Sequence, residues 1–446
     1  MLDRYALEPM KSLWSDEENK FKYWLKVELA VLRAKMEMGT ISNDTYEKIE
    51  KSASFNVERI KELEVVYEHD MIAFITNVQE FIEQAGYGNI KEEFHKGVTS
   101  YDIEDPAMVL LLRRSTLEIS GELKKLIETI WQKAEEHKWT LMISRTHGQY
   151  AEPSTFGHLL KVSQREFERN RERLGIVFKT DLSEGKISGA VGIYGGIDPK
   201  LEELALQEIS LNPAKAETQI LQRDRHASLL STLAIIAGSV ERLCRTFWEM
   251  MRSDVGELQE PRKEKQRGSS AMPQKKNPIL TERLMGMPRL IRAYANAAME
   301  NMATPEGRDI SQSSVERHIF PDSLCLTHYM LIKLNGLISN LVVFPEKMEK
   351  RLKEETFGVW AAQRVRIALM EAGISYSESY DYVQRASFFA TEKGIHLSHV
   401  LKSTEISVMS GNNQRTGEDV IGKEKIQECF DPIKYIHAGV EKVFSY

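Results

Sequence analysis

The sequence has only three cysteines, and their placement excludes two common roles for this residue. Cys244, Cys325 and Cys429 are odd in number, far apart and without a Cys-x-x-Cys pair, so we expect neither a disulfide framework nor a zinc site. The first residues lack the basic and then apolar layout of a signal peptide. No apolar run approaches the roughly 20 residues of a membrane helix. These absences predict a cytoplasmic protein with no membrane partner.

The sequence also lacks a large excess of positive or negative charge. The 446 residues include 60 Lys and Arg against 66 Asp and Glu, for a formal net charge of −6. This balance disfavours general nucleic-acid binding, although a local basic cluster could hold a small anion. The sequence also lacks a glycine-rich nucleotide fingerprint and a metal-ligand cluster. We therefore expect no nucleic-acid partner, no cofactor and no metal.

Proline is scarce, and its placement favours long helices. The 13 prolines leave residues 107–152, 154–198, 214–260 and 346–431 free of this residue. In the first and third of these ranges, apolar residues recur three and four apart, as they do on the buried face of a bundled helix. They are Val109, Leu112, Ile119, Leu123, Leu126 and Ile130, then Leu229, Leu233, Ile236, Val240, Leu243, Phe247 and Met250. Strand signals are few, so the sequence predicts an all-α fold.

The helical patterns divide the chain into three predicted domains. Residues 1–95 form a first helical domain, residues 96–345 a central domain of long bundle helices, and residues 346–446 a smaller helical domain. Residues 322–344 are apolar on nearly every side. Such a helix is expected deep in a bundle or in a subunit interface.

Four polar segments interrupt the helical patterns, where binding groups usually lie. They are HKGVTSYD (95–102), SRTHGQYAEPSTFG (144–157), GSSAMPQKKNP (268–278) and EGRDISQSSVER (306–317). In the third segment Gly268 permits a positive φ, and backbone N–H groups around Ser269 could form an anion nest. Lys275 adds a point charge and Asn277 an amide. The segment predicts a carboxylate site, with an ordinary solvated turn as the alternative.

The third segment matches the pattern G-S-S-x-M-P-x-K-x-N-P at every fixed position, and it therefore resembles the signature of the fumarase/aspartase superfamily. This resemblance implies a three-domain all-α fold with a long central helical bundle. It also implies β-elimination that breaks a C–N or C–O bond and releases fumarate or a close analogue.

Further motifs resemble the adenylosuccinate lyase branch of that superfamily. They include YEHD (67–70), TSYD (99–102), RTHGQYAEP (145–153), KISGAVG (186–192), ETQI (217–220), RDRHA (223–227) and RDISQSSVER (308–317). Members of this branch cleave succinyl-AMP to AMP and fumarate, and SAICAR to AICAR and fumarate, in purine synthesis. The resemblance also implies a homotetramer whose active sites are shared between subunits.

The resemblance assigns five catalytic residues. Ser269 is the expected base, with Lys275 and the loop amides stabilising its alkoxide. His147 resembles the general acid, and His69 its partner or a phosphate-side ligand. Glu282 is expected to orient one of these histidines. Which histidine protonates the leaving nitrogen stays open, and a lone histidine is more often structural.

The expected substrate-binding residues divide by charge. Those suited to the succinyl carboxylates are Thr99, Ser100, Thr146, Lys275 and Asn277. Those suited to a nucleotide phosphate are Arg4, Tyr5, Arg308, Ser313 and Arg317, since arginine binds phosphate through two parallel hydrogen bonds. Gln219 is expected near the leaving nitrogen or a carboxylate. An isolated arginine more often forms a surface salt bridge, but Arg308 and Arg317 frame two serines.

The sequence departs from its relatives at several expected pocket positions. Several relatives have His in place of Gln274 and Gln312, and many bacterial relatives have Trp-His-Glu where this chain reads PEG (305–307). Tyr101 replaces a residue that is more commonly small. Argininosuccinate lyases also have Gln at position 274, so argininosuccinate or another N-substituted aspartate is the main alternative substrate.

A non-catalytic protein that keeps the scaffold is the alternative from another class. Retention of Ser269, His147, Lys275 and Glu282 together disfavours it. The phosphate-binding set likewise favours a nucleotide over argininosuccinate, which has no phosphate.

Overall fold

The computed structural model describes residues 2–15, 17–262, 264–265, 267, 269–410 and 413–446. Within these ranges the chain is predominantly helical, as predicted, with eight short strands. The helices are α1 (Met10–Ser15), α2 (Glu17–Glu37), α3 (Asn43–Ser52), α4 (Val57–Tyr67), α5 (Asp70–Ile82), α6 (Ser100–Glu136), α7 (Phe156–Thr180), α8 (Pro199–Glu208), α9 (Asp224–Met251), α10 (Ile279–Gly286), α11 (Pro288–Glu300), α12 (Ser311–Ser339), α13 (Pro345–Lys350), α14 (Ala362–Glu371), α15 (Tyr376–Lys393), α16 (Leu397–Val400), α17 (Gly417–Ile421), α18 (Lys423–Cys429) and α19 (Pro432–Phe444).

The strands form four two-stranded sheets. They are β1 (Leu141–Thr146) with β2 (Gln149–Thr155), β3 (Glu184–Gly185) with β4 (Asn212–Pro213), β5 (Leu258–Gln259) with β6 (Val342–Val343), and β7 (Val408–Ser410) with β8 (Asn413–Arg415). The β3–β4 pair is parallel and the other three are antiparallel.

The long helices α6, α7, α9 and α12 contain 37, 25, 28 and 29 residues. The apolar seams predicted for α6 and α9 are buried, with no member more than 5% exposed. Most of the apolar segment 322–344 falls in α12 and is also buried, since its Leu324, Cys325 and Leu331 have no exposed surface. The periodicity therefore predicted these helices and their inward faces correctly.

Helix α9 is long and apolar enough to cross a membrane by length and composition alone, with a mean hydropathy of 1.4 over its most apolar stretch. No such stretch was expected from the sequence. In the structure 61% of that stretch is buried inside the protein. The buried seam from Leu229 to Met250 accounts for the composition.

Close contacts group the chain into two compact units. Unit 1 comprises Met1–Leu126, Phe167–Arg242 and Arg283–Leu334, and unit 2 comprises Ile127–Glu166, Leu243–Glu282 and Asn335–Tyr446. Each unit thus collects three separate stretches of sequence. The predicted division into three consecutive domains stays a prediction.

An aromatic cluster joins α2 to α5 in unit 1. The rings of Phe21 and Phe74 are stacked with centroids 5.7 Å apart, and Trp24 meets Phe74 edge-on at 5.5 Å. Aromatic pairs of this kind add to the stability that burial alone provides. The cluster fixes the start of α5 beside α2, which places Asp70 next to Lys20.

A β-hairpin in unit 2 replaces the polar loop that was expected at 144–157. Leu141 pairs with Thr155 and Thr146 with Gln149, with an irregularity between Ile143 and Arg145. The hairpin leads directly into α7. Residues 346–446, expected to be helical, contain α14 and α15, which confirms their helical character.

Candidate active site

The segment GSSAMPQKKNP brings donors to the oxygen of Ser269. The backbone N–H groups of Ala271 and Met272 donate to Ser269 Oγ at 3.3 and 3.0 Å. Two such donors stabilise negative charge on that oxygen, and a serine that is to accept a proton needs this stabilisation. The predicted nest therefore contains the serine oxygen itself. Gly268, expected to supply a positive φ, lies outside the described residues.

The end of the same segment borders a cleft of about 980 Å³ in unit 2. Lys275, Asn277 and Glu282 line it, together with Gln274. Glu282 Oε1 accepts a hydrogen bond from the indole N–H of Trp248 at 3.4 Å. The volume lies at the upper end for a small-molecule site. The cleft thus brings three of the predicted site residues together.

Glu260 supports this cleft and was missed by the sequence analysis. The residue is 6% exposed, and its carboxylate accepts the N–H groups of Leu280 and Thr281 at 3.3 and 2.5 Å. These are unpaired donors at the start of α10, where a negative charge is favourable. Glu260 therefore fixes the helix that carries Glu282. The only sequence signal was a helix start after Pro278 without its own capping side chain.

His147 occupies the turn of the β1–β2 hairpin. His147 and Gly148 have φ values of 54° and 76°, the left-handed pair that suits a two-residue hairpin turn. The imidazole is exposed. Thr146, the last residue of β1, lines a different cleft of about 640 Å³. Among the described residues that line the 980 Å³ cleft, neither Thr146 nor His147 occurs.

His69 and Asp70 begin α5 in unit 1. His69 is the N-cap, and its Nδ1 accepts the N–H of Ile72 at 3.5 Å, a long hydrogen bond that leaves the ring 44% exposed. Asp70 Oδ2 contacts Lys20 Nζ at 2.7 Å and Arg317 Nη2 at 2.8 Å. Burial opposes the charge of Asp70, but these two cations hold its pKa well below the usual range. Arg317, a predicted phosphate ligand, is thereby tied to the residue after His69.

Arg317 and Ser313 line a cavity of about 290 Å³ in unit 1, together with Tyr101 and Glu104. Glu104 was also missed by the sequence analysis. Burial and the nearby Asp70 raise the pKa of its carboxyl to about 8, so it is largely protonated at neutral pH. An acidic residue in the first turns of a helix is normally charged, so the position of Glu104 in the sequence does not indicate a protonated carboxyl.

Arg308 and Gln219 meet although they belong to distant motifs. Arg308 Nη1 donates to Gln219 Oε1 at 2.6 Å, and Gln219 Nε2 donates to the carbonyl of Ala190 at 2.9 Å. The Arg308 guanidinium also lies 4.1 Å from the centroid of the Tyr101 ring. The structure therefore brings these two predicted binding residues together.

Thr99 and Ser100 lie at the start of α6, where the side chain of Asp102 stabilises the first turn of the helix. Asp102 Oδ2 accepts the N–H of Thr99 at 2.9 Å. Its other oxygen pairs with Lys186 Nζ at 2.5 Å, and both charged side chains are fully or almost fully buried. This ion pair joins the TSYD and KISGAVG motifs.

Arg4 and Tyr5 lie in a short 3₁₀ turn at Asp3–Tyr5. Arg4 is exposed, while the Tyr5 ring meets Tyr329 edge-on at 5.3 Å. Tyr5 lines another cavity of unit 1, of about 360 Å³, together with Arg283. The predicted phosphate-binding set is therefore divided, since Ser313 and Arg317 line the 290 Å³ cavity instead.

Comparison with known proteins identifies the class of enzyme to which this chain belongs. Residues 7–292 match the protein family described as Lyase. The fumarate lyase of Mesorhizobium sp. BNC1 has a similar structure, with a TM-score of 0.87 and 23% identity over 100% of this chain and 99% of that one. The 3-carboxy-cis,cis-muconate lactonizing enzyme of Pseudomonas putida gives 0.86 and 23% over 99% and 97%. These two structures show the fold, and the family match makes the chain a lyase.

Three full-length relatives narrow the class further. The adenylosuccinate lyases of Synechocystis sp., Thermotoga maritima and Bacillus subtilis are 41%, 40% and 39% identical to this chain. Each match covers 100% of this chain and 99% of the relative. The chain therefore belongs to the adenylosuccinate lyase family of the fumarase/aspartase superfamily, as its motifs predicted.

Proposed function

We propose that this enzyme releases fumarate from succinyl-AMP, giving AMP, and from SAICAR, giving AICAR, in purine nucleotide biosynthesis. The observation that carries the chemical part of the proposal is the pair of backbone N–H groups on Ser269 Oγ. The choice of substrates rests on identity of about 40% to adenylosuccinate lyases over the whole chain.

The reaction is a β-elimination that consists of proton removal, bond cleavage and proton donation. Ser269, as alkoxide, accepts the proton from the carbon next to a succinyl carboxylate, and the electron pair moves toward that carboxylate. The carbon–nitrogen bond then breaks with its electron pair leaving on nitrogen. His147 or His69 donates a proton to this nitrogen, and the succinyl carbons leave as fumarate.

Positive charge is needed while the carboxylate next to the lost proton carries extra electron density. Lys275 and the amide of Asn277 line the cleft beside Glu282 and supply the charge and a hydrogen bond there. The Ser269 alkoxide is stabilised by Ala271 and Met272 N–H. The remaining carboxylate contacts are assigned to Thr99, Ser100 and Thr146, with Gln219 near the leaving nitrogen.

The nucleotide phosphate is assigned to Arg4, Tyr5, Arg308, Ser313 and Arg317. The location of Ser313 and Arg317 on one cavity supports a common ligand for these two. Gln219, assigned to the leaving nitrogen, contacts Arg308, which is assigned to the phosphate. This contact supports the binding of both groups of one substrate near these two residues.

We further propose a cytoplasmic homotetramer with active sites shared between subunits. His147 is exposed at a hairpin turn, as expected of a residue that serves a neighbouring chain's site. Apolar side chains on the long helices are also exposed, including Val162 (48%), Ile176 (61%) and Ile235 (48%). Burial of such side chains between subunits would stabilise the assembly.

The substrate assignment is tested by fumarate release from succinyl-AMP, SAICAR and argininosuccinate, each offered separately to the purified protein. We expect release from both nucleotides and none from argininosuccinate. Release from argininosuccinate alone would overturn the phosphate assignment, and Gln274 would then be the first residue to exchange. Release from none of the three would mean another N-substituted aspartate or a non-catalytic protein.

A further inference from the structure

Arg308 differs from its arginine neighbours in unit 1, because it forms no ion pair with a carboxylate in the part of the chain that the structure describes. Arg223 contacts Asp105 and Glu316, and Arg317 contacts Asp70. Among the described residues, the hydrogen-bond partner of Arg308 is the neutral amide of Gln219. The nearby Glu104 carboxyl interacts with this guanidinium electrostatically, but its raised pKa keeps it largely protonated at neutral pH. The positive charge of Arg308 therefore remains available to an anion.

The aromatic ring of Tyr101 contacts the Arg308 guanidinium. The ring centroid lies 4.1 Å from Arg308 Cζ, within the range of a cation–π contact, and the residue is only 4% exposed. Arg223 lies on the same ring at 5.8 Å, but its charge is already paired. The Tyr101 ring is thus a rigid platform for the unpaired arginine.

The side chain of Gln312 in turn forms a hydrogen bond with Tyr101. Its Nε2 donates to the Tyr101 hydroxyl at 3.3 Å, and the side chain is fully buried. The Gln312 Oε1 atom has no hydrogen-bond partner among the described residues, so this amide is retained at the cost of an unsatisfied buried oxygen. Ser313, the next residue, also interacts with the Tyr101 hydroxyl.

We propose that Tyr101 and Gln312 are positioning residues that act through Arg308, and that their joint role is to aim its guanidinium at the phosphate of the substrate. The identity of the anion as a nucleotide phosphate rests on the proposed function. Tyr101 and Gln312 are two of the departures found in the sequence, and the structure joins them in one contact.

The inference is tested by the binding of AMP and of adenosine to the full-length protein, measured by calorimetry. Tyr101→Leu removes the platform and should weaken AMP binding about fivefold to tenfold, because cation–π contacts have this magnitude. Adenosine, which has no phosphate, should bind equally well to both proteins. Tyr101→Phe keeps the ring and loses only the hydroxyl, so a loss of about twofold to threefold is expected.

A double-mutant cycle separates positioning from general damage. In an Arg308→Ala background, Tyr101→Leu should no longer weaken AMP binding, because the group it positions is absent. With succinyl-AMP, Tyr101→Leu should raise KM while kcat stays within about twofold of the wild type. Equal weakening of adenosine, or an undiminished effect without Arg308, would overturn the inference.

Two further measurements test the inference if Tyr101→Leu does not fold or if the wild type does not bind AMP. If Tyr101→Leu does not fold, Tyr101→Phe and Gln312→Met carry the test, and AMP binding unchanged in both would reject it. If the wild type binds no AMP, the proposed function fails, and inorganic phosphate becomes the probe. Phosphate binding that Tyr101→Phe weakens would then support the platform, and phosphate binding that does not change would reject it.

Discussion

Two carboxyl groups of unit 1, Asp70 and Glu104, show how single-residue environments set protonation. Asp70 lies between Lys20 and Arg317, and these cations lower its pKa despite its burial. Glu104 lies on the cavity of about 290 Å³ and forms no ion pair with the described residues, so burial outweighs the electrostatic effect of Lys20 and Arg308 and raises its pKa to about 8. The charge of Asp70 adds to that increase, so one carboxyl is ionised partly at the expense of the other.

The raised pKa of Glu104 predicts a pH-dependent stability. In an unfolded chain this carboxyl ionises near its usual pKa of about 4.3, whereas the folded protein keeps the proton until about pH 8. Rising pH therefore favours the unfolded state between these two values, and the loss persists above pH 8. Glu104→Gln removes the ionisation and should stabilise the protein at about pH 8.5, by roughly 2–4 kcal/mol, with little effect near pH 4.

Thermal unfolding at the two pH values measures this difference. The matched control is Glu135→Gln, an exposed glutamate on the same helix, which should show no such gain. A Glu104→Gln protein that is less stable than the wild type at the higher pH would show that Glu104 is charged and paired in solution.

At the scale of elements, the passage from β2 into α7 depends on Gly157. A Cβ at this position would meet the carbonyl oxygens of Ala134 and His137 at 2.6 and 2.8 Å. Both belong to the end of α6 or the residue after it, and Gly157 N–H donates to the carbonyl of His137 at 3.0 Å. The hairpin that carries His147 is therefore held against the end of α6 by a contact that only glycine allows.

Gly157→Ala should destabilise the protein by about 1–3 kcal/mol, because the two carbonyls must move. Gly175→Ala in the same helix is the matched control, since a Cβ there meets nothing within 4 Å. This second change should be neutral or stabilise by about 0.5–1 kcal/mol. Chemical unfolding of both variants measures the difference, and equal midpoints would contradict the predicted contact.

The same elements show what the sequence could and could not predict. The seams of α6 and α9 were predictable because a buried helical face leaves a repeated signal along the chain. The β1–β2 hairpin was not predictable, because β1 lacks a regular alternation of buried and exposed residues and the turn depends on a left-handed His147, which no repeat reveals. The positions of Lys275 and Glu282 on one cleft follow from their proximity in the sequence, since Glu282 lies in the helix that begins just after the GSSAMPQKKNP segment. The contact of Arg308 with Gln219 joins residues 89 apart and needed the tertiary structure.

At the scale of the whole molecule, the predicted site residues are spread over both units. Ser269, Lys275, Glu282 and His147 belong to unit 2, whereas His69 and all five predicted phosphate ligands belong to unit 1. Sharing between subunits of a homotetramer is our proposal for how such a set forms one site.

Shared sites predict complementation between two inactive variants. Ser269→Ala and His147→Ala should each be nearly inactive alone, since each lacks a proton-transfer group. Coexpressed, they should regain fumarate release, because mixed tetramers contain sites with both residues intact. Light scattering provides the size control, and a mixed tetramer without activity would place both residues in each site on the same chain.

We propose that Ser269 is the base that starts fumarate release from succinyl-AMP. The most direct measurement is the rate of fumarate release by Ser269→Ala and, as the matched control, by Ser270→Ala. We expect Ser269→Ala to lose about 10²–10⁴-fold in kcat, the usual contribution of a general base, and Ser270→Ala to lose much less. Near-normal release by Ser269→Ala, with loss in Ser270→Ala, would show that Ser269 is not the base.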